Sequence, residues 1–168
     1  MPELFNQNGY NLRKYFNLII ILLLLIIFFI NFDDYRIKAK DTKRRADVAV
    51  LINALDLYHD KHGFYPLAEA DDKGWDVSYE MNGGEKNFLK ILKDEGLINR
   101  EIFDPVNNKE YFYRYQKYPA STYGCKKAFY ILQVASFELP ADGNGQGKCN
   151  NFNWVKEAPY GYTVQSFD

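Results

Sequence analysis

The stretch RRADVAVLINALDLYHDKHGFYP, residues 44–66, decides the fold class of this chain. Its apolar residues recur at spacings of three and four, which is the pattern of a helix with one apolar face. Gly63 stands where the C-terminal cap of such a helix belongs, and Pro66 follows at the usual distance. The stretch therefore predicts an amphipathic helix that ends near residue 62. Its predicted packing face consists of Val48, Leu51, Ile52, Leu55 and Tyr58.

A long apolar run lies upstream of this helix. Residues 15–32 read YFNLIIILLLLIIFFINF, and the stretch 18–30 contains apolar residues alone. At about 1.5 Å per residue, a helix over the run is roughly 27 Å long, near the short end for a membrane span. A cleaved secretory signal is the alternative, but bulky and charged residues follow the run where a cleavage site needs small ones. We therefore expect an uncleaved, single-pass anchor.

The anchor and the amphipathic helix are expected to be continuous. No Gly or Pro occurs from residue 10 to residue 62, so no residue in that window forces a break. The expected organisation has four parts. These are a short N-terminal cytoplasmic segment (1–14), a transmembrane helix (15–32), its extramembrane continuation (33–62) and a globular head (63–168).

The head is expected to contain one short helix and a small sheet. Residues 87–95 have an amphipathic pattern that stops at Gly96, whereas residues 71–84 have the composition of a loop. Strands are predicted over 110–117, 128–137 and 160–167, with a short buried helix as the alternative for 128–137. Successive strands without helical crossovers favour antiparallel pairing. The predicted fold class is α+β: a long N-terminal helix, membrane-spanning in its first half, packed on a small antiparallel β-sheet.

An ordered series of residues runs from the end of the long helix into the predicted central strand. Its members are Arg45, Asp47, Leu51, Ala54, Leu55, Tyr58, Gly63, Tyr65 and Pro66, residues 88–92, Gly96, Asp104, Pro105, Asn107, Tyr111 and Tyr113, and residues 129–132. In this order they resemble the type IV pilin-like family, and within it the major pseudopilin of type II secretion systems. The resemblance covers about residues 44–142 and implies a pilin-like fold.

The resemblance implies a structural subunit and not an enzyme. Family members sit in the bacterial inner membrane with the head outside the cytoplasm, and they stack helix against helix into a pilus or pseudopilus. The expected partners are other pilin-like subunits, bound through the N-terminal helix, and membrane lipid. No cofactor or small-molecule substrate is expected, and a net charge of −1 argues against nucleic-acid binding. The alternative is a non-polymerising single-pass membrane protein whose extracytoplasmic head is a binding module.

The N-terminal processing motif departs from the family pattern. The family has a basic leader that ends in Gly, followed by Phe-Thr-Leu-x-Glu. Here Gly9 and Tyr10 form the nearest processing site, and Lys14 stands at the position of the Glu. In the family that Glu pairs with the N-terminal amine of a neighbouring subunit, which a lysine would repel instead. This departure is the reason for the non-polymerising alternative.

The charges that flank the apolar run point against the orientation that the resemblance implies. Arg13 and Lys14 precede the run, whereas six basic residues follow it between residues 36 and 45. The positive-inside rule therefore favours a cytoplasmic head. The resemblance and the cysteine pair favour a head outside the cytoplasm, which is the orientation we expect, with the cytoplasmic head as the alternative.

Two candidate sites involve the C-terminal half. Cys125 and Cys149 are too few for a closed zinc site, but they can form one disulfide in an oxidising compartment. Two buried thiols are the alternative. Asp142 and Asn144 lie where pseudopilins often have a calcium-binding loop. Because calcium takes six or more oxygen ligands, a plain turn is the favoured interpretation and calcium the alternative.

Two charged features of the long helix have ordinary explanations. His59 and His62 are three residues apart and lack a third metal ligand, so we interpret them as part of a solvated helix end. The basic run 38–45 is expected either to contact anionic lipid headgroups or to form a solvated face.

Overall fold

The computed structural model describes residues 7–67, 74–79, 87–140 and 145–168, with side chains described outside 7–12 and 29–31. The chain divides into two compact units, Met1–Ala39 and Lys40–Asp168. Helix α1 (Gln7–His62) supplies the described secondary structure of the first unit and the first element of the second. The second unit is called the head below.

Helix α1 ends where the sequence pattern predicts. Gly63 has a φ of +77°, and its N–H donates to the carbonyl of His59 at 2.7 Å. A left-handed residue in this position turns the chain out of the helix and satisfies a terminal carbonyl, and glycine adopts it without steric cost. The glycine after His62 therefore stops the helix.

The remaining elements of the head form an antiparallel sheet, a short helix and a small hairpin. Helix α2 (Phe88–Asp94) begins at Asn87, whose side chain accepts the N–H of Lys90 at 2.8 Å. The six strands are β1 (Asp76–Val77), β2 (Tyr113–Tyr118), β3 (Phe129–Val134), β4 (Lys148–Cys149), β5 (Phe152–Asn153) and β6 (Tyr162–Phe167). The main sheet has the order β1-β2-β3-β6, and β4 pairs with β5. All these pairs are antiparallel, which confirms the predicted α+β fold with a long helix on a small antiparallel sheet.

The strand boundaries differ from the predicted ones at several points. The loop predicted over 71–84 contains β1, a strand too short to show a sequence period. Strand β2 begins three residues later than predicted because Asn108 turns the chain, accepting the N–H groups of Glu110 and Tyr111, both at 2.9 Å. Strand β3 is shorter than predicted at both ends, and β6 begins two residues later than predicted but ends where predicted. The stretch 128–137 contains a strand and not a buried helix.

One face of the sheet packs against α1 and α2. This helix-side core includes Leu51 and Leu55 of α1, Leu89 of α2 and Tyr130 and Leu132 of β3, all between 0 and 1 % exposed. Tyr113 and Tyr115 of β2 lie in the same core. These two tyrosines are core residues, and their hydroxyls form hydrogen bonds that link elements of the head. Tyr113 donates to Asp47 at 2.8 Å, and Tyr115 donates to the carbonyl of Pro66 at 2.6 Å.

The opposite face of the sheet is covered by a second layer. The disulfide-side core contains Tyr118, Cys125, Phe129, Ile131, Cys149 and Trp154, with Trp75 and Phe152 packed against it. All six residues of β3 are buried as a result, because successive side chains point into alternate cores.

Candidate functional site

The apolar half of α1 presents an exposed surface within the first unit. Every described side chain from residue 13 to residue 28 is exposed, and the large apolar ones range from 40 % at Ile20 to 68 % at Tyr15. By length and composition the helix is able to cross a membrane, with a mean hydropathy of 2.7 over an 18-residue window, although a signal sequence satisfies the same criteria. A continuous apolar surface of this kind marks contact with lipid or with another protein.

The second half of α1 lies against the head's own sheet. Val48, Leu51 and Leu55 are buried, and Ile52 and Tyr58 are partly buried against the same core. All five residues of the predicted packing face are therefore located at the helix-side core. This face of α1 is therefore packed mainly on the head's own core.

A buried ion cluster fixes the first turns of α1 within the head. The Arg44 side chain is fully buried, and its Nε and Nη2 donate to the two carboxylate oxygens of Asp104 at 2.7 and 3.1 Å. Its Nη1 donates to Asp41, almost one turn earlier, at 2.6 Å. The Tyr111 ring lies 4.7 Å from the guanidinium carbon. This two-pronged geometry is the strong form of an arginine–carboxylate pair.

Each aspartate of the cluster also holds a loop. Asp41 accepts the backbone N–H groups of Glu138 and Leu139 at 3.1 and 2.9 Å. Asp104 accepts the N–H of Val106 at 2.8 Å. The cluster therefore ties α1 both to the segment that follows β3 and to the turn that precedes β2.

The charge of Arg44 is maintained by its partners. Burial alone would lower the pKa of the guanidinium, because the charged form loses its hydration. Hydrogen bonds with Asp104 and Asp41 outweigh this effect and raise the pKa above its ordinary value. Arg44 is therefore a permanent cation inside the head, balanced by carboxylates.

The basic run 38–45 is thus not simply a lipid-contacting patch or a solvated face, as the sequence suggested. Arg44 is buried, and three more of its cations contact head residues. The partners are Glu138 for Lys40 at 2.9 Å, Asp47 for Lys43, and the Phe137 ring for Arg45 at 4.9 Å. The sequence analysis identified Asp104 only as a member of the ordered series. No local pattern shows that a carboxylate 60 residues away neutralises Arg44.

A disulfide joins Cys125 to Cys149 across the disulfide-side core. Gln165 of β6 lies against both sulfurs, with its Nε2 3.5 Å from Cys125 and 3.4 Å from Cys149. The bridge ties the loop before β3 to β4. Disulfides form and persist in oxidising compartments, so the bridge bears on the location of the head.

We expect the disulfide to stabilise the head by about 3 kcal/mol, because it closes a loop of intermediate length. Replacing both Cys125 and Cys149 with alanine should lower the free energy of unfolding by that amount in denaturant titrations. Wild-type protein treated with a reductant serves as the matched sample and should show the same loss. A double variant as stable as the oxidised wild type would contradict this prediction.

The other predicted sites are not brought together. Gly9 and Tyr10 lie in the first turns of α1, and their side chains are outside the described residues, as are Asp142 and Asn144 altogether. His59 lies 4.0 Å from Asp168, whereas His62 stacks on Tyr58 at 4.2 Å. Within the described ranges, no group of three or more His, Cys, Asp or Glu side chains is placed to hold a metal ion.

Comparisons with protein-family models, with curated proteins and with solved structures found no match. The candidate functional surface is therefore defined by the chain's own features. In the first unit, α1 is apolar and exposed. In the head, α1 is held by a buried ion cluster and by its apolar face. The polar groups of the cluster hold this helix within the head.

Proposed function

We propose that this protein is a membrane-anchored structural subunit of the type IV pilin-like kind, acting in a type II secretion or type IV pilus assembly. The observation that carries the proposal is the difference in exposure between the two halves of α1. Its first half is apolar and exposed, whereas its second half packs against the sheet of an α+β head. The subunit performs no chemistry in this proposal. It is retained in the bacterial inner membrane by the apolar half and associates with other subunits through it.

The proposed orientation places the head outside the cytoplasm. The disulfide favours an oxidising compartment. The basic residues after the apolar run, which favour the opposite orientation, have a separate explanation in the head. In the head, Arg44 pairs with Asp104 and Lys40 pairs with Glu138. The number of basic residues after the apolar run therefore reflects the fold of the head as well as the membrane topology.

Assembly through α1 is testable by crosslinking in native membranes. A single cysteine at Leu22, which is 55 % exposed, should give an oxidised dimer because neighbouring apolar helices would pack side by side. Tyr160→Cys is the matched control, since this side chain is 74 % exposed but lies in the head. A Leu22→Cys protein that stays monomeric under conditions in which the Cys125–Cys149 disulfide is oxidised would contradict assembly through this surface.

The non-polymerising binding module is the second candidate, and Lys14 is the observation that favours it. N-terminal sequencing of protein isolated from its host separates the two. A chain that starts at Tyr10 supports processing and assembly. An intact Met1, together with an uncrosslinked Leu22→Cys variant, supports the anchored module.

A further inference from the structure

Arg114, a second arginine of the head, has the surroundings of a ligand-binding side chain more than those of a structural ion pair. It lies on β2, and its Nε donates to Oε1 of Gln133 at 2.7 Å. Gln133 is itself fully buried and locked, because its Nε2 donates to the carbonyl of Trp154 at 2.7 Å and to the Thr163 hydroxyl at 2.8 Å. The guanidinium carbon lies 4.3 Å from the centre of the Trp75 ring. The position of Arg114 is therefore fixed by neighbours that are all uncharged.

Within the described part of the chain, the outer nitrogens of this guanidinium have no acceptor. Among the described residues, no carboxylate forms an ion pair with Arg114, and its one hydrogen bond uses Nε. The contrast with Arg44 is direct, because that side chain binds two carboxylates through all three of its nitrogens. Burial lowers the pKa of the Arg114 guanidinium, and the charge of the exposed Glu157 offsets only part of that effect. A partly buried cation without a counter-ion costs free energy in the folded state.

A second donor in the same cluster also lacks an acceptor. Trp154 is 3 % exposed, and its indole Nε1 has no hydrogen-bond partner in the part of the chain that the structure describes. Its ring lies 5.8 Å from that of Trp75, the ring on which Arg114 stacks. Buried indole N–H groups normally find a partner, so an unpaired one points to a missing acceptor.

We propose that Arg114, Trp75 and Trp154 form a binding site for a carboxylate group, carried by a small acid or by an acidic side chain. Because Gln133 takes up Nε, the two outer nitrogens of Arg114 remain as donors for a ligand. A planar carboxylate accepts two parallel hydrogen bonds from such donors. This site is independent of the apolar surface of α1.

The charge balance of the site selects a carboxylate over a phosphate. Arg114 is the one cation in contact with the Trp75 ring among the described residues, and a carboxylate neutralises it one for one. A phosphate group carries about −1.5 to −2 at neutral pH. It would leave an excess of negative charge next to Glu157, which already contributes to the potential at Arg114.

Tryptophan fluorescence reports this site selectively, because the chain has two tryptophans and both belong to the cluster. The full chain in micelles of an uncharged detergent is titrated with sodium acetate at constant ionic strength, with chloride as the balancing anion. We expect a saturable change in emission and a shift of the indole N–H resonances in the proton–nitrogen spectrum. Sodium phosphate should give a weaker response than acetate.

Variants assign the response to Arg114. Arg114→Gln should weaken acetate binding more than about tenfold, since a charge-assisted pair of hydrogen bonds is lost. Arg114→Lys keeps the charge but not the paired donors, so it should bind weakly although folded. Arg100→Gln is the matched control, because this arginine is exposed and is not a member of the disulfide-side core that contains both tryptophans. It should leave binding unchanged.

Several results would overturn the proposal. A fluorescence change that rises linearly with acetate, or that persists in Arg114→Gln, would mean that no such site exists. Tighter binding of phosphate than of acetate would overturn the assignment to a carboxylate. Wild-type affinity in Arg114→Lys would show that charge alone, and not the paired donors, attracts the anion. Melting curves of each variant verify that the head is folded.

Discussion

Replacing Arg44 with alanine is expected to lower the free energy of unfolding of the head by about 3–5 kcal/mol, the usual cost of breaking a buried ion pair from one side. The substitution removes the cation but leaves Asp104 and Asp41 buried, at 4 and 6 % exposure, without their counter-charge. It also leaves a cavity beneath the Tyr111 ring, which the guanidinium now fills. Denaturant titration of the full chain, followed by near-ultraviolet circular dichroism, measures the loss.

Two further variants make this result specific. Arg100→Ala removes an exposed arginine and should change stability by less than about 0.5 kcal/mol. Arg44→Lys keeps the charge but cannot bind both oxygens of Asp104 while also reaching Asp41, so an intermediate loss is expected. If Arg44→Ala were no less stable than Arg100→Ala, the cluster would contribute nothing to holding α1 in the head.

Alkaline pH is expected to unfold the head through its buried tyrosines. Burial raises the pKa of Tyr113, Tyr115 and Tyr130, with the nearby Asp47 adding to the effect at Tyr113. The unfolded chain ionises its tyrosines from about pH 10, whereas the folded head keeps these three protonated. Stability is therefore complete below about pH 10 and falls as the pH rises toward the raised values. The expected loss from the three is about 4 kcal/mol by pH 11 and about 8 kcal/mol by pH 12.

Tyr130→Phe tests this mechanism cleanly. The Tyr130 hydroxyl is buried and has no hydrogen-bond partner among the described residues, so its removal should cost nothing at neutral pH. The variant should recover about a third of the alkaline loss, because one of the three shifted groups is gone. Denaturant titrations at neutral and alkaline pH measure both effects. Identical alkaline sensitivity in the variant and the wild type would contradict the assignment.

Local sequence patterns predicted the elements that have a run of apolar residues or a residue typical of a helix end. The end of α1 followed from Gly63, and the start of α2 corresponds to Asn87, a residue type that caps helices through its side chain. Strand β3 was identifiable because its residues are apolar on both faces, as a central strand requires. In each case the physical cause lies within a few residues of its effect, so the sequence contains it.

The elements that were missed depend on distant partners. Arg44 belongs to a basic run, and only the folded chain brings Asp104 to it. Arg114 lies in a stretch predicted to be a strand, and no local pattern shows that the second layer over the sheet partly buries it. Strand β1 has two residues, too few for any periodicity, and is specified by its pairing with β2. Residues whose environment comes from across the fold are the ones that single-sequence reasoning could not place.

The burial of β3 on both faces has a consequence for how this head can change over evolutionary time. Its side chains alternate between two cores, with Tyr130 and Leu132 on the α1 side and Phe129 and Ile131 on the disulfide side. A lineage that discarded the β4–β5 layer would uncover Phe129 and Ile131, and would have to replace them with polar residues in the same step. Phe129 and Ile131 are therefore constrained by the outer layer, whereas Tyr130 and Leu132 are constrained by α1.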